Sequence, residues 1–365
     1  MRALLRAGVA IGALGVLCGP LRAAQPARPA PAGFGAEVAR LSEPGGSFDT
    51  DNLISNERAY LDVIPALVSR GVTGGAYIGV GPDQNFSYIA RIRPSVAFII
   101  DVRRDNLLLH LLFKALFAQA RSRVEYLCLL TGRAPPADPA AVAAHTTLNT
   151  GPLKTIVAYV DRRAAAPNFP ALQGRLDETI AGFGVPLSRA DMDTVHRFHR
   201  AFVDAGLSLQ FHSFNRAPQP YYPTFRDLLL ATDAGGREWN YLGTNEDFQF
   251  VRALEGRDGV IPVVGDVAGP HAMRAIAAAI GERGERLSAL YISNVENYLF
   301  RDGVFARYAD NLGHLPRGAR SVVIRSVFSG GGESISRVQP LDQMLGDISR
   351  GNYRTYSELL RGAGW

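Results

Sequence analysis

Apolar runs separated by polar breaks are densest over residues 72–106, VTGGAYIGVGPDQNFSYIARIRPSVAFIIDVRRDN. Ala76-Tyr77-Ile78-Gly79-Val80 has strand composition and stops at Gly81-Pro82-Asp83, a turn signal. Phe86, Ile89 and Ala90 recur at helical spacing, and a second apolar run, Val96 to Ile100, ends in Asp101. The pattern predicts strand, tight turn, helix, strand and a terminal acidic residue, the first βαβ unit of a nucleotide-binding α/β sheet. Before it, Ser55 opens a helix with the stripe Tyr60, Leu61, Ile64 and Leu67-Val68, which Pro65 is expected to kink.

After Asp101, Leu107 to Leu130 reads as one long apolar helix, broken by Pro135, Pro136 and Pro139. Ser188-Arg189-Ala190-Asp191 has capping-box spacing and opens a helix reaching about Ala205. Gly206 ends it, and Leu207–Phe211 alternates like a short strand. From Thr244 a capped helix carries Phe248, Phe250-Val251 and Leu254. Strands are expected at Val260–Val264, Ala289–Ser293 and Ser321–Val327, with a helix over His271–Ile280. Strands and helices alternating at these lengths argue for a parallel sheet.

Composition adds an address. The chain has 365 residues, 47% of them apolar, enough for one large domain or two of average size. Its formal charge is +5, but removing Arg2, Arg6 and Arg22 leaves +2, so no electrostatic case for nucleic acid survives. Those arginines belong to a leader over residues 1–24 with an apolar core, Ala7–Leu17, and small residues at Ala23-Ala24. The leader predicts export, to the periplasm, with a mature chain beginning near Gln25; an uncleaved leader would leave the protein in the cytoplasm. The apolar core is too short to span a bilayer, and no later segment reads as transmembrane. Cleavage would leave Cys128 as the sole cysteine, in a core pattern. Residues 25–48, rich in Pro, Ala and Gly, read as a linker to a domain over 49–365.

The candidate chemistry starts at the turn. Gly79 and Gly81 remove Cβ atoms that would hold a ligand off, and the next helix offers unpaired N–H groups. Asp101, about 20 residues on, can accept from ribose hydroxyls. Asp83, Gln84 and Asn85 stand where a pyrophosphate would approach, which disfavours NAD. A small molecule with a ribose and a positive or neutral centre fits better. His196 and His199 share a helix face and could bind a metal with Asp193 or His212, but no local motif completes that site, so exposure or capping is favoured. Tyr221-Tyr222, in a Pro-rich loop, can stack on a substrate or simply pack.

The order Gly79-Val80-Gly81, Asp101, Gly265-Asp266 and Asn294-Val295-Glu296 resembles the Rossmann-like class I S-adenosylmethionine-dependent methyltransferases. NLISNE (52–57), GGAYIGVGPDQNFSYIA (74–90), FIIDVRRDNLLLHLLFKALF (98–117), PVVGDVAGP (262–270) and YISNVENYLF (291–300) look like an uncharacterised bacterial family with a methyltransferase-like domain. The resemblance covers roughly residues 50–130 and 240–330. It implies an α/β, Rossmann-like, mostly parallel sheet with helices on both faces. The chain departs from that pattern in a large, mainly helical insertion, about 131–243, between the second and third strands, where a single helix is usual. The resemblance further implies S-adenosylmethionine as cofactor, bordered by Gly79, Gly81 and Asp83. Asp101 would then hold the ribose and Asp266 the adenine amino group, with Asn294 and Glu296 facing the transferred methyl. Capping of a strand end is the plainer reading of Asn294 and Glu296.

Export conflicts with a cofactor made in the cytoplasm. The alternative is an exported protein that reuses the fold to bind a ligand, or to hydrolyse one with Asp83, Asp101 and Glu296. No GxSxG, HExxH or P-loop supports a known hydrolytic mechanism.

Overall fold

The computed structural model describes residues 33–136, 147–166, 168–214, 217, 219–328 and 333–363. The expected signal peptide, and the Gln25 start of the mature chain, lie outside them. The protein is α/β, with a six-stranded sheet in the order β3-β2-β1-β4-β5-β6. The strands are β1 (Ala76–Gly79), β2 (Val96–Asp101), β3 (Val260–Val264), β4 (Leu287–Tyr291), β5 (Arg317–Phe328) and β6 (Ser334–Pro340). The first five are parallel and β6 is antiparallel to β5. Every residue of β1 and β3 is buried, which is why these strands read as continuous apolar runs and not as alternations. Pro262, which cannot donate to a ladder, sits on the edge strand β3.

Among the described residues, two α-helices precede β1: α1 (Phe34–Leu41) and α2 (Ile64–Ser69). Pro65 opens α2 and does not kink it, because the preceding turn is a separate 3-10 segment, Tyr60–Val63. The expected linker over 25–48 fails from residue 34 onward. Helix α1 buries Phe34, Val38 and Leu41, and the chain after it is pinned to the strand ends by Glu43 N–H to Val264 carbonyl (2.9 Å) and Gly46 N–H to Val102 carbonyl (2.7 Å).

Helix α3 (Gln84–Ile92) joins β1 to β2. Between β2 and β3 stand α4 (Arg104–Gln119), α5 (Arg123–Leu130), α6 (Thr147–Thr150), α7 (Leu153–Asp161), α8 (Phe169–Gly182), α9 (Arg189–Ala205), α10 (Phe225–Leu229) and α11 (Asn245–Gly256). The expected single helix Leu107–Leu130 is two, because Ser122 accepts from the N–H of Glu125 and caps α5. Helix α4 is buried from Asn106 to Phe117, so its apolar residues run all round it. The apolar side chains of this connection join those of the sheet in one core. Helix α9 has the capping box its sequence promised. The strand expected at 207–211 is a 3-10 turn followed by a single bridge, Gln210 to Thr224.

The remaining helices are α12 (Ala272–Glu282), α13 (Val295–Arg301), α14 (Phe305–Gly313), α15 (Leu341–Ser349) and α16 (Tyr356–Gly362). No helix among the described residues is long and apolar enough to cross a membrane.

Candidate functional site

Strand order reverses between β1 and β4, and in open α/β sheets ligands bind beyond the carboxyl ends of the strands at such a switch point. A cavity of about 330 Å³ lies there. Its wall includes Gly81 after β1, Asp101 at the end of β2, Asp266 after β3 and Asn294 after β4. Four of the sequence-predicted residues are therefore together. Gly79, Asp83 and Glu296 are not among the lining residues.

The turn after β1 is built by Asn85. Its amide donates to the carbonyls of Val80 (2.9 Å), Gly81 (3.2 Å) and Pro82 (2.7 Å), and its oxygen accepts from Tyr77 Oη at 2.8 Å. Gly79 makes room for that amide, since a Cβ there would lie 1.9 Å from Asn85 Oδ1. Its lack of a side chain thus serves Asn85, not the approach of a ligand. Gly81 has φ +80°, a conformation that favours glycine. Asp83 is buried and accepts from Tyr241 Oη at 3.2 Å. Burial pushes its carboxyl up to about 7. His110, below the turn, holds the Gly81 carbonyl at 2.9 Å through Nε2, and burial lowers its titration to about 4.

Asp101 meets the cavity already paired with Arg103. Asp266 accepts from Ala268 N–H at 2.8 Å, and its own N–H donates to Glu43 Oε1 at 2.9 Å. Glu43 Oε2 accepts from His271 N–H at 3.0 Å, so the segment read as a linker in fact braces the loop that carries Asp266.

The segment before the Tyr60–Val63 turn supplies the residue that sequence reasoning missed, and it meets the cavity beside Ser293, just past β4. Glu57 lines the cavity with 1% exposure and accepts from the hydroxyls of Ser293 and Ser326, the latter at 2.5 Å. Ser326 in turn contacts Ser336 Oγ at 2.9 Å. Burial raises the Glu57 carboxyl, and the serine hydrogen bonds oppose that. Among the described residues no cation is paired with it. Glu57 closes the NLISNE segment, but no local chemistry marks it as a site residue, because a carboxylate in a polar, irregular segment is ordinarily solvated. Ser293 (φ +52°) and Asn52 (φ +49°), both in the cavity wall, are two of four non-glycine residues with left-handed φ among those described. Such strain collects at ligand sites.

Glu296 is buried elsewhere. Arg325 donates to it at 2.6 and 3.1 Å, and Tyr308 Oη lies 3.4 Å away. His196 is paired with Asp177 at 2.8 Å, while Nε2 of buried His199 meets the Leu129 carbonyl at 3.0 Å. Tyr221 packs edge-on against Tyr222 in the loop. At the cavity wall, Phe48 and Tyr298 meet edge to face at 5.1 Å.

Fold and cavity define an α/β protein with a cavity at the switch point of its sheet. The chain belongs to the family described as Domain of unknown function (DUF7790), whose model matches residues 53–178 and 196–347. The matched span takes in most of the helical connection between β2 and β3 as well as the strands. No curated protein matches the sequence.

Proposed function

We propose that this is a Rossmann-like domain, with its β2–β3 helices as an insertion, that binds S-adenosylmethionine in the switch-point cavity and transfers the methyl group to an acceptor. The observation that carries this is the convergence of Gly81, Asp101, Asp266 and Asn294, from the ends of four adjacent strands, on one cavity. The donor set fits. Asp101 Oδ2, which accepts from Arg103 Nη2, keeps capacity for a ribose hydroxyl, and Asp266 has an oxygen that takes no backbone hydrogen bond, open to an adenine amino group. Arg103 and Arg301 are paired with Asp101 and Asp302, so Glu57 and Asp266 leave the wall with an acidic excess that suits a sulfonium and opposes a phosphate.

The bound cofactor would supply an electrophilic methyl group. The chain would supply position, which is worth roughly 7–11 kcal/mol for well-oriented reactants. Asn294, at the β4 end, would orient the acceptor; Glu296, held by Arg325, takes no part. Export, proposed from the leader, favours a second reading, a ligand-binding protein without turnover. The prior pairing of Asp101 with Arg103 supports that reading too.

Calorimetry of the full chain with S-adenosylmethionine and S-adenosylhomocysteine tests the proposal. Saturable heat with both is expected. A folded protein that gives no heat at millimolar ligand would discard the cofactor and leave the second reading.

A further inference from the structure

We infer that the Glu57 side of the cavity, under the ends of β4 and β5, is a subsite for an organic amine in its ammonium form. Two acceptors there await a donor: the carboxyl group of Glu57 and the side-chain oxygen of Gln84. The hydroxyls of Ser293 and Ser326 are spent on the two oxygens of Glu57, and Tyr291 is hydrogen-bonded to the same carboxyl group, which leaves it about one accepting position. Gln84 also lines the cavity and is 6% exposed. Its amide nitrogen donates to Tyr291 Oη at 3.2 Å, and its buried Oε1 has no partner. An unpaired buried acceptor of this kind is unfavourable unless a ligand or water answers it.

An ammonium group brings three donors and a positive charge, and so matches both the carboxyl group and the amide oxygen. A hydroxyl brings one donor and no charge, and an anion would face the Glu57 carboxyl group and the unpaired Gln84 oxygen. The titratable groups around Glu57 are the phenols of Tyr77, Tyr88, Tyr291 and Tyr356, none of them cationic at neutral pH. Burial holds the Glu57 carboxyl up when it is alone. A cation laid against it favours the ionised form, so amine binding releases a proton. Phe48 and Tyr298, which line the same cavity, give the apolar remainder of the amine a surface.

The subsite concerns binding alone and stands apart from the adenosylmethionine reading; its probes contain no adenosine, so the two fail separately. Benzylamine and benzyl alcohol have the same shape and differ in charge. Titration of the full chain by nuclear magnetic resonance is expected to give about tenfold tighter binding of the amine. Its affinity is expected to rise with pH as Glu57 ionises. In Glu57→Gln, checked for folding by circular dichroism, the preference is expected to vanish. Equal affinities in the wild type, no amine binding at millimolar concentration, or a preference kept by folded Glu57→Gln would each overturn the proposal. Should Glu57→Gln not fold, the wild-type profile decides: an amine affinity that does not change with pH overturns it.

Discussion

Arg103 holds the carboxylate of Asp101 from two positions along the chain. Its Nε and backbone N–H reach Oδ1 at 3.0 and 2.9 Å, and its Nη2 reaches Oδ2 at 2.8 Å. The third nitrogen, Nη1, donates to the Thr50 carbonyl at 2.8 Å, which ties the end of β2 to the segment that closes the cavity. A carboxylate has about four accepting positions, and three are taken. A ribose on Asp101 therefore meets one free position, not two.

Asp101→Ala should weaken S-adenosylmethionine by about tenfold. A single hydrogen bond to a charged acceptor contributes about 1.5–3 kcal/mol, and the Arg103 charge beside it points to the lower end. Calorimetry on the wild type and variant checks this. Unchanged affinity would keep the ligand and remove Asp101 from its site.

Asp83 makes stability depend on pH. Its carboxyl is raised from 3.8 to about 7 by burial, so between those values the folded chain keeps a proton that the unfolded chain has released. The stabilisation is complete below about pH 4 and is lost as pH rises through about 7, a change of about 4 kcal/mol. Asp83→Asn should flatten much of that fall in urea denaturation from about pH 5 to about pH 8. Glu255, also raised to about 7 by burial, remains to give a residual slope. An unaltered slope would mean that Asp83 titrates normally.

The strands and turns that carry the cavity were legible because each is a local pattern. Burial on both faces writes β1, β2 and β3 as continuous apolar runs, and the turns that follow stand at their ends. The capping box of α9 and the Thr244 cap of α11 are likewise local. What escaped depends on contacts distant in sequence. Glu57 becomes a site residue only when Ser293, 236 positions on, reaches it. Glu296 lies beside predicted site residues, but Arg325 turns it inward. Helix α1 was hidden by the Pro- and Ala-rich stretch before it, although Phe34, Val38 and Leu41 have helical spacing.

Gly79→Ala should destabilise the fold and not merely a ligand. The added methyl would meet the Asn85 amide and displace the side chain that gathers three turn carbonyls. Overpacking of this kind costs about 1–3 kcal/mol, and the lost hydrogen bonds add to it. The chemical denaturation midpoint should fall with little change in slope. A Gly79→Ala protein of wild-type stability would show that the turn can repack without Asn85.

The segment before residue 48 offers the sharpest contrast between a linker and a structural element. Leu41 is fully buried, and α1 packs on β3 and α12. Truncating a buried leucine costs about 2–5 kcal/mol, whereas a linker residue costs within about 0.5 kcal/mol. Leu41→Ala should therefore lower stability by at least about 2 kcal/mol in urea denaturation. Glu43→Gln should act differently. It removes the charge that receives the N–H groups of Asp266 and His271 while keeping an acceptor. The expected outcome is a small stability loss with faster amide hydrogen exchange at Asp266. Wild-type stability in Leu41→Ala would return the segment to the linker that its composition suggests.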